Sequence, residues 1–270
     1  MQDRPSGSTG TQATGASPIL STLSLSKHFG GIAAVDGVSI SVQRGAIVGL
    51  IGPNGAGKTT MFDMLAGDLK PTAGEIRLQG RAVQAEPAHA RIRAGLGRTF
   101  QIPRPFAAMS LVENVMLGKQ GQSGEVIWPN WFRPGLVAAE ERRNFTEAME
   151  LLEFVTLQHL AHEPARVLSG GQRKLLELAR VLMAKPEIVL LDEPAAGVNP
   201  SLLEIIIERI GALNSRGMTF LIIEHNMDLV SRLCRHVFVM ASGKLLVEGT
   251  PETVVRDPDV IEAYLGGAKV

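Results

Sequence analysis

The chain has 270 residues, enough for one large domain or two modest ones, and its 45% hydrophobic content can bury a substantial core. Lysine plus arginine and aspartate plus glutamate both total 27, so no field of one sign attracts nucleic acid or an acidic membrane surface. We therefore expect a folded protein with no nucleic-acid partner. The single cysteine, Cys234, cannot form an intramolecular disulfide, which indicates a reducing compartment and a buried thiol.

The N-terminal segment 1–17 is rich in Gly, Ser and Thr and lacks the apolar core of a signal peptide, so we interpret it as a disordered tail. No apolar run approaches the roughly 20 residues that span a bilayer. The cytoplasm is the expected compartment, and a role in transport would require another chain to form the pore.

The N-terminal third alternates strand patterns with one helix pattern. Alternating apolar residues in 19–43 predict half-buried strands, and the more continuously apolar 46–51 predicts a strand covered on both faces. A Gly-rich turn comes next, and then a helix over 58–66 that ends at Gly67. Residues 73–79 predict one more strand.

The middle of the chain predicts a mainly helical region, from about 88 to 180, in which 140–154 is clearly amphipathic. Its loop 118–135 is rich in Gly and Pro and contains Trp128 and Trp131. Two interpretations of these tryptophans stay open: packing onto a neighbouring helix, or contact with a partner or a membrane.

The last third has the alternation of a parallel α/β sheet, in which strands and helices follow each other along the chain. The predicted strands are 188–191 and 218–223, and the predicted helices are 201–213 and 227–234. Thr250 and Asp257 each stand before a proline at the first position of a helix, and Gly266 ends the last helix.

A phosphate-binding motif lies between the strand 46–51 and the helix 58–66. It fits the pattern Gly, four residues, Gly-Lys-Thr, and the strand, loop and helix context supports it over a chance glycine turn. Glycines let backbone N–H groups turn toward phosphates, Lys58 supplies charge toward the β and γ phosphates, and Thr59 offers a hydroxyl to Mg²⁺. The predicted nucleotide-binding residues are Gly52, Pro53, Asn54, Gly55, Ala56, Gly57, Lys58 and Thr59.

Two adjacent acids, Asp192 and Glu193, stand at the carboxyl end of the strand 188–191, where ligands of open α/β sheets gather. We predict that Asp192 holds Mg²⁺ and that Glu193 orients and deprotonates the attacking water. A strand end followed by a turn at Pro194 is the structural alternative, and the motif upstream argues against it.

The segment Leu168-Ser169-Gly170-Gly171-Gln172 precedes a helix predicted over 173–183. Ser169 and Gln172 fit a capping box, which is a structural explanation. The two glycines also strip side chains from a helix N-terminus that favours anions, so the segment could receive a phosphate. Its combination with the other motifs favours the phosphate.

Leu-Ser-Gly-Gly-Gln ahead of a hydrophobic strand that ends in Asp-Glu resembles the ATPases of ABC transporters, over about residues 20–265. The resemblance implies an α/β fold: a P-loop NTPase (RecA-like) parallel sheet core, an N-terminal antiparallel β subdomain and an inserted α-helical subdomain. It also implies that Ser169, Gly170, Gly171 and Gln172 contact ATP held by a second subunit. Neither subunit alone would then have a complete site.

The resemblance assigns roles to single residues. Gln101 would sense the metal and the γ-phosphate, His225 would touch the γ-phosphate and support the attacking water, Phe29 would stack on adenine, and Thr60 would lie near the α-phosphate. Taken alone, each has an ordinary structural explanation. The chain departs from many relatives at Phe29, where Tyr is frequent, and at Asn199, where the family often has Asp, so signalling across the dimer at Asn199 is in doubt.

The implied organisation places an ABC ATPase domain over 18–267 after the tail. Its parts are the nucleotide-binding core over 18–101 and 186–249, the helical subdomain with the signature segment over 102–185, and C-terminal helices over 250–267. ATP and Mg²⁺ are the implied cofactors. The implied partners are a second ATP-binding subunit, identical or not, transmembrane permease subunits and a solute-binding protein.

Several segments, among them Gly97-Arg98-Thr99-Phe100-Gln101 and Ala195-Ala196-Gly197, resemble the branched-chain amino acid uptake group. This implies a peripheral protein at the cytoplasmic face of the cell membrane. Export, another solute class, a soluble ABC ATPase on ribosomes or DNA, and a module that binds ATP without hydrolysing it remain alternatives. The single P-loop and the lack of sustained heptads argue against the soluble class, and the absence of an Asn-Lys-x-Asp segment argues against a GTPase.

Overall fold

The computed structural model of the protein describes residues 17–122 and 134–266. The predicted tail up to residue 16 and both tryptophans lie outside these residues. The described chain forms an antiparallel sheet, a mainly parallel sheet and helices that cover them.

The first sheet contains strands that the alternating pattern of 19–43 predicts. Its members are β1 (Leu20–Phe29), β2 (Ile32–Val38), β3 (Ser41–Val42), β5 (Ala73–Leu78) and β6 (Arg81–Ala82). The order is β2-β1-β5-β6 with β3 also on β1, and every pairing is antiparallel.

The second sheet carries the strands that lead into the candidate site. Its members are β4 (Ile47–Ile51), β7 (Leu96–Arg98), β8 (Ile188–Asp192), β9 (Thr219–Ile223), β10 (His236–Ala241) and β11 (Lys244–Gly249). The order is β11-β10-β4-β9-β8-β7, and only β11 runs antiparallel to its neighbour. The carboxyl ends of β4, β8 and β9 therefore lie along one edge.

Strand β4 is buried along its whole length because both of its faces are covered. Ile47 and Ile51 belong to one hydrophobic cluster, whereas Val48 and Leu50 belong to the other. A strand covered on both faces needs apolar residues at every position, which explains its continuous apolar sequence.

The helices agree with most of the predicted positions. They are α1 (Lys58–Ala66), α2 (Ala88–Arg93), α3 (Leu111–Met116), α4 (Pro134–Phe154), α5 (Gly170–Leu182), α6 (Pro200–Ser215), α7 (Met227–Leu233), α8 (Pro251–Val254) and α9 (Pro258–Gly266). Helices α3, α4 and α5 pack against one another. Across the described part of the chain, no helix combines the length and the apolar character that a bilayer crossing needs.

The structure differs from the predicted elements in three places. The region 88–180 is mainly helical, as predicted, but it also contains β7, an edge strand paired in parallel with β8. A three-residue strand is too short to show a period, and its Gly97 allows α5 to approach so closely that a Cβ would lie 2.6 Å from Val181 Cγ1. Helix α5 begins at Gly170 rather than at residue 173. The β10–β11 hairpin was not predicted.

Candidate functional site

The phosphate-binding loop 52–59 joins β4 to α1 at the carboxyl edge of the second sheet. A Cβ on Gly52 would lie 2.1 Å from the carbonyl oxygen of Met240. Gly57 has φ 96°, and a Cβ there would lie 2.3 Å from the carbonyl oxygen of Ala34. Both positions therefore require glycine. Among the residues that the structure describes, no side chain caps the start of α1, so its backbone N–H groups are available to an anion.

Lys58 folds back over this loop. Its ammonium donates hydrogen bonds to the carbonyl oxygens of Gly52 at 2.7 Å and Pro53 at 3.0 Å. Burial lowers the pKa of Lys58, while the nearby carboxylates of Glu193 and Asp192 act in the opposite direction. The ammonium thus lies in the field of both acids that the sequence singles out.

The other predicted residues of the loop differ in exposure. Asn54, Gly55 and Thr59 are exposed, Pro53 and Thr60 are half-buried, and Ala56 is buried. The hydroxyl of Thr59 is therefore open to solvent at the start of α1, where a ligand could reach it.

Asp192 is the buried last residue of β8. Desolvation raises the pKa of its carboxyl group, and the charge of Arg98, 3.7 Å away, opposes the rise. The same guanidinium pairs with Asp63 and Asp68, each at 2.7 Å. Arg98 thus connects helix α1, and Asp68 two residues beyond its end, to the carboxylate at the end of β8.

Glu193 lies close to two residues to which the family resemblance assigns roles, Gln101 and His225. The side-chain amide of Gln101 donates a hydrogen bond of 2.7 Å to Glu193 Oε2. The imidazole Nδ1 of His225 lies 3.8 Å from Glu193 Oε1. Gln101 and His225 are exposed and Glu193 is half-buried, so a ligand at this edge could reach all of them.

The signature segment 169–172 forms the start of α5 and is a complete capping box. The Ser169 side chain accepts from the backbone of Gln172, and the Gln172 side chain accepts from the backbone of Ser169. A Cβ on Gly171 would lie 2.8 Å from Leu202 Cδ1, so packing alone explains this glycine. Gly170 is exposed and has no such neighbour. Within residues 17–122 and 134–266, no hydrogen bond or ion pair joins this segment to the phosphate-binding loop.

Phe29 ends β1 with an exposed ring, and the Lys27 ammonium lies 5.2 Å from the ring centroid. An exposed aromatic face at this position could stack on a base. Asn199 accepts a hydrogen bond from the Leu202 N–H at 2.9 Å and caps α6, so its amide has a structural role.

Comparison with known proteins assigns the family. A family profile described as "ABC transporter" matches residues 35–196, which is more than half of the chain. The chain belongs to the ABC transporter family. A second profile, described as "Branched-chain amino acid ATP-binding cassette transporter", matches residues 244–270 of this ABC protein.

Individual relatives cover nearly the whole ABC chain. The probable branched-chain amino acid transport ATP-binding protein LivG of Archaeoglobus fulgidus is 41% identical over 92% of this chain and 95% of its own. The high-affinity branched-chain amino acid transport ATP-binding protein BraF of Pseudomonas aeruginosa is 42% identical over 93% and 99%. A solved ATP-binding cassette of an ABC transporter in its ADP conformation superposes with a TM-score of 0.80 at 38% identity, covering 92% and 99%. The chain is therefore a nucleotide-binding ATPase with the P-loop NTPase fold.

The sequence patterns assign no role to three charged residues around the site of this ABC ATPase. Glu224 is fully buried, and its carboxylate accepts hydrogen bonds from the backbone N–H groups of Ala195 and His225. Lys174 on α5 donates to the carbonyl oxygen of Glu193. Glu177 on α5 accepts from the Phe100 N–H at 2.9 Å. A charged residue within or directly after an apolar run is the only signal that could have selected Glu177 and Glu224.

Proposed function

We propose that this ABC ATPase energises the uptake of branched-chain or other amino acids from the cytoplasmic face of the membrane. The names of its relatives and the C-terminal match support the amino-acid assignment. The main support for ATP hydrolysis is the position of Glu193. Its carboxylate lies beside both Gln101 and His225, and its charge acts on the Lys58 ammonium.

Nucleotide binding would use the loop and the exposed ring at the end of β1. The N–H groups of 54–57 would turn to phosphate oxygens, the ammonium of Lys58 would exchange its contacts within the protein for phosphate oxygens, and Phe29 would stack on the base. Thr60, half-buried on α1, would contact the α-phosphate.

The donors near the loop fit Mg²⁺, which prefers hard oxygen ligands and is held by few protein groups together with phosphates and water. The exposed hydroxyl of Thr59, the carboxylate of Asp192 and the amide oxygen of Gln101 supply such ligands. A bound Mg²⁺ would neutralise charge on the phosphates during transfer. Arg98 would keep the Asp192 carboxylate ionised in its buried position.

Hydrolysis would use Glu193 as the base that orients and deprotonates the attacking water. Its contact with Gln101 leaves Glu193 Oε1 free of that amide, and His225 lies on the side of this oxygen. His225 would then hold the γ-phosphate and the water in line.

Closure of two ATP-binding subunits would complete each site, with Ser169, Gly170, Gly171 and Gln172 contacting ATP held by the other subunit. The exposed start of α5 supports this arrangement, because an uncovered helix N-terminus favours an anion. Coupling would pass through Gln101 to the helices of 102–185, on which permease subunits would dock, and a solute-binding protein would deliver the solute.

Replacement of Glu193 by Gln tests this function. The amide keeps the shape of the side chain but cannot take a proton, so turnover should fall by about 100-fold or more while ATP binding persists and two subunits stay together. Steady-state ATPase and nucleotide titration of the full chain measure both quantities. Glu208→Gln, an exposed carboxylate on α6, is the control that should change neither. Undiminished hydrolysis by Glu193→Gln would refute the assignment.

A further inference from the structure

The backbone of Glu193 has an uncommon conformation. Its φ is 47°, in the left-handed region that side-chain-bearing residues rarely adopt. Such a conformation persists only where the surrounding structure imposes it. The direction of the Glu193 carboxylate therefore depends on whatever holds this backbone.

Hydrogen bonds hold the backbone at and just after Glu193. The Glu193 N–H donates to the carbonyl oxygen of Ile223 at 2.9 Å, and the Glu193 carbonyl oxygen accepts from the Lys174 ammonium. Two residues later, the Ala195 N–H donates to Glu224 Oε1 at 2.7 Å. The first of these partners belongs to the strand pairing of the sheet, but the other two are side chains.

The Glu224 carboxylate also holds the loop of His225. Its Oε2 accepts from the N–H groups of His225 at 2.9 Å and Asn226 at 3.0 Å, and the residue has no exposed surface. One buried carboxylate thus connects the turn after Glu193 to the turn that carries His225. Loss of the hydrogen bonds to the Glu224 carboxylate would therefore displace both Glu193 and His225.

Lys174 supplies positive charge to this buried acid region. It lies half-buried on α5, and the carboxylates of Glu224 and Glu193 are the leading charges that favour its ammonium form against desolvation. Because α5 begins with the signature segment, Lys174 also connects that helix to the backbone of Glu193 in the same subunit.

We propose that Glu224 and Lys174 are positioning residues that hold the Glu193 backbone in its left-handed conformation, so that its carboxylate faces Gln101 and His225. This inference rests on the proposed role of Glu193. Neither residue is among the proposed nucleotide contacts, so their loss should slow the chemical step while ATP affinity stays unchanged.

Glu224→Gln tests the acid. An amide that keeps its oxygen on the His225 and Asn226 N–H groups must point its own NH₂ at the Ala195 N–H, so the hold on the turn after Glu193 is lost. We expect kcat to fall by about 10-fold or more, because small misplacements at a reacting centre are costly, while KM for ATP stays unchanged.

A matched control separates positioning from general loss of stability. Thr219 is fully buried at the opposite end of β9, and its hydroxyl accepts from the Gly45 N–H at 2.9 Å. Thr219→Val removes a side-chain hydrogen bond made by the same strand but should keep the wild-type kcat. Thermal unfolding of both variants shows whether their stability losses are comparable.

Lys174→Met is the second variant and carries the test if Glu224→Gln does not fold. It keeps the apolar stem, removes the donor to the Glu193 carbonyl, and should lower kcat at unchanged KM. Wild-type kcat in either folded variant would overturn the inference, as would a loss confined to KM. Glu193→Gln, assayed alongside, separates the two ideas: if it remains active, the proposed function itself fails, and if it alone is inactive, only the positioning role fails.

Discussion

Glu177 is a buried acid on α5 that accepts a hydrogen bond from the residue just before Gln101, the predicted Mg²⁺ ligand. Desolvation raises the pKa of its carboxyl group to about 7, and its hydrogen bond from the Phe100 N–H opposes the rise. The group therefore changes its charge near neutral pH, and its hydrogen-bond partner Phe100 directly precedes Gln101 in the sequence.

Stability should depend on pH through this group. Between its ordinary pKa of 4.5 and about 7, the folded state keeps a proton that the unfolded state releases, so the free energy of unfolding falls as pH rises. The loss across the window is on the order of 3 kcal/mol. Glu177→Gln cannot titrate and should lose this slope in urea unfolding measured from pH 4.5 to 8, whereas the exposed Glu208→Gln should keep it. Parallel curves for wild type and Glu177→Gln would contradict the prediction.

The sequence could predict the role of a residue when its partners are adjacent in the chain, but not when they are far apart. The phosphate-binding loop and the Asp192-Glu193 pair are contiguous, so their spacing alone indicates their chemistry. Glu224 is 29 residues from Ala195, and Arg98 is 35 residues from Asp63. Such partners meet only through the fold, so no local pattern could have predicted which groups Glu224 and Arg98 contact.

The residues at the start of helix α5 can be explained either by helix capping and packing or by contact with a phosphate. The capping box satisfies backbone groups whether or not a phosphate binds there, and Gly171 is required by packing against Leu202. The capping box also explains Ser169, so in this segment the exposed Gly170 alone lacks a structural explanation, and the exposed Ser169 beside it is a position where a phosphate contact can be tested.

Ser169→Asp separates the two roles. Aspartate is as good an N-cap as serine and its charge suits a helix start, so stability should be maintained. Its carboxylate would repel a phosphate brought by a second subunit, and ATPase activity should fall by about 10-fold or more. Thr250→Asp places the same charge at the start of α8 and should leave activity unchanged. An active Ser169→Asp would leave capping as the only role of this serine.

The elements themselves were largely predictable where periodicity or continuous apolar runs extend over enough residues. Strands β4, β8 and β9 and helices α1 and α6 agree with their predicted positions within a few residues. Strand β7 escaped prediction because three residues show no period, and its membership of the sheet depends on pairing with β8, far along the chain.

The fold of the whole chain places the carboxyl ends of β4, β8 and β9 along one edge of the second sheet. In the described residues, no hydrogen bond or ion pair joins the signature segment to the phosphate-binding loop. We propose that a single copy presents two half-sites and that a second ATP-binding subunit joins them into a complete site.

The need for two subunits can be tested by measuring the ATPase rate of the purified full chain against protein concentration, at saturating ATP and Mg²⁺. If two copies assemble each site, the rate per chain should rise with concentration and then level off as dimers become dominant. A rate per chain that stays constant from the most dilute sample upward, with the mass of a single chain in light scattering throughout, would contradict the two-subunit site.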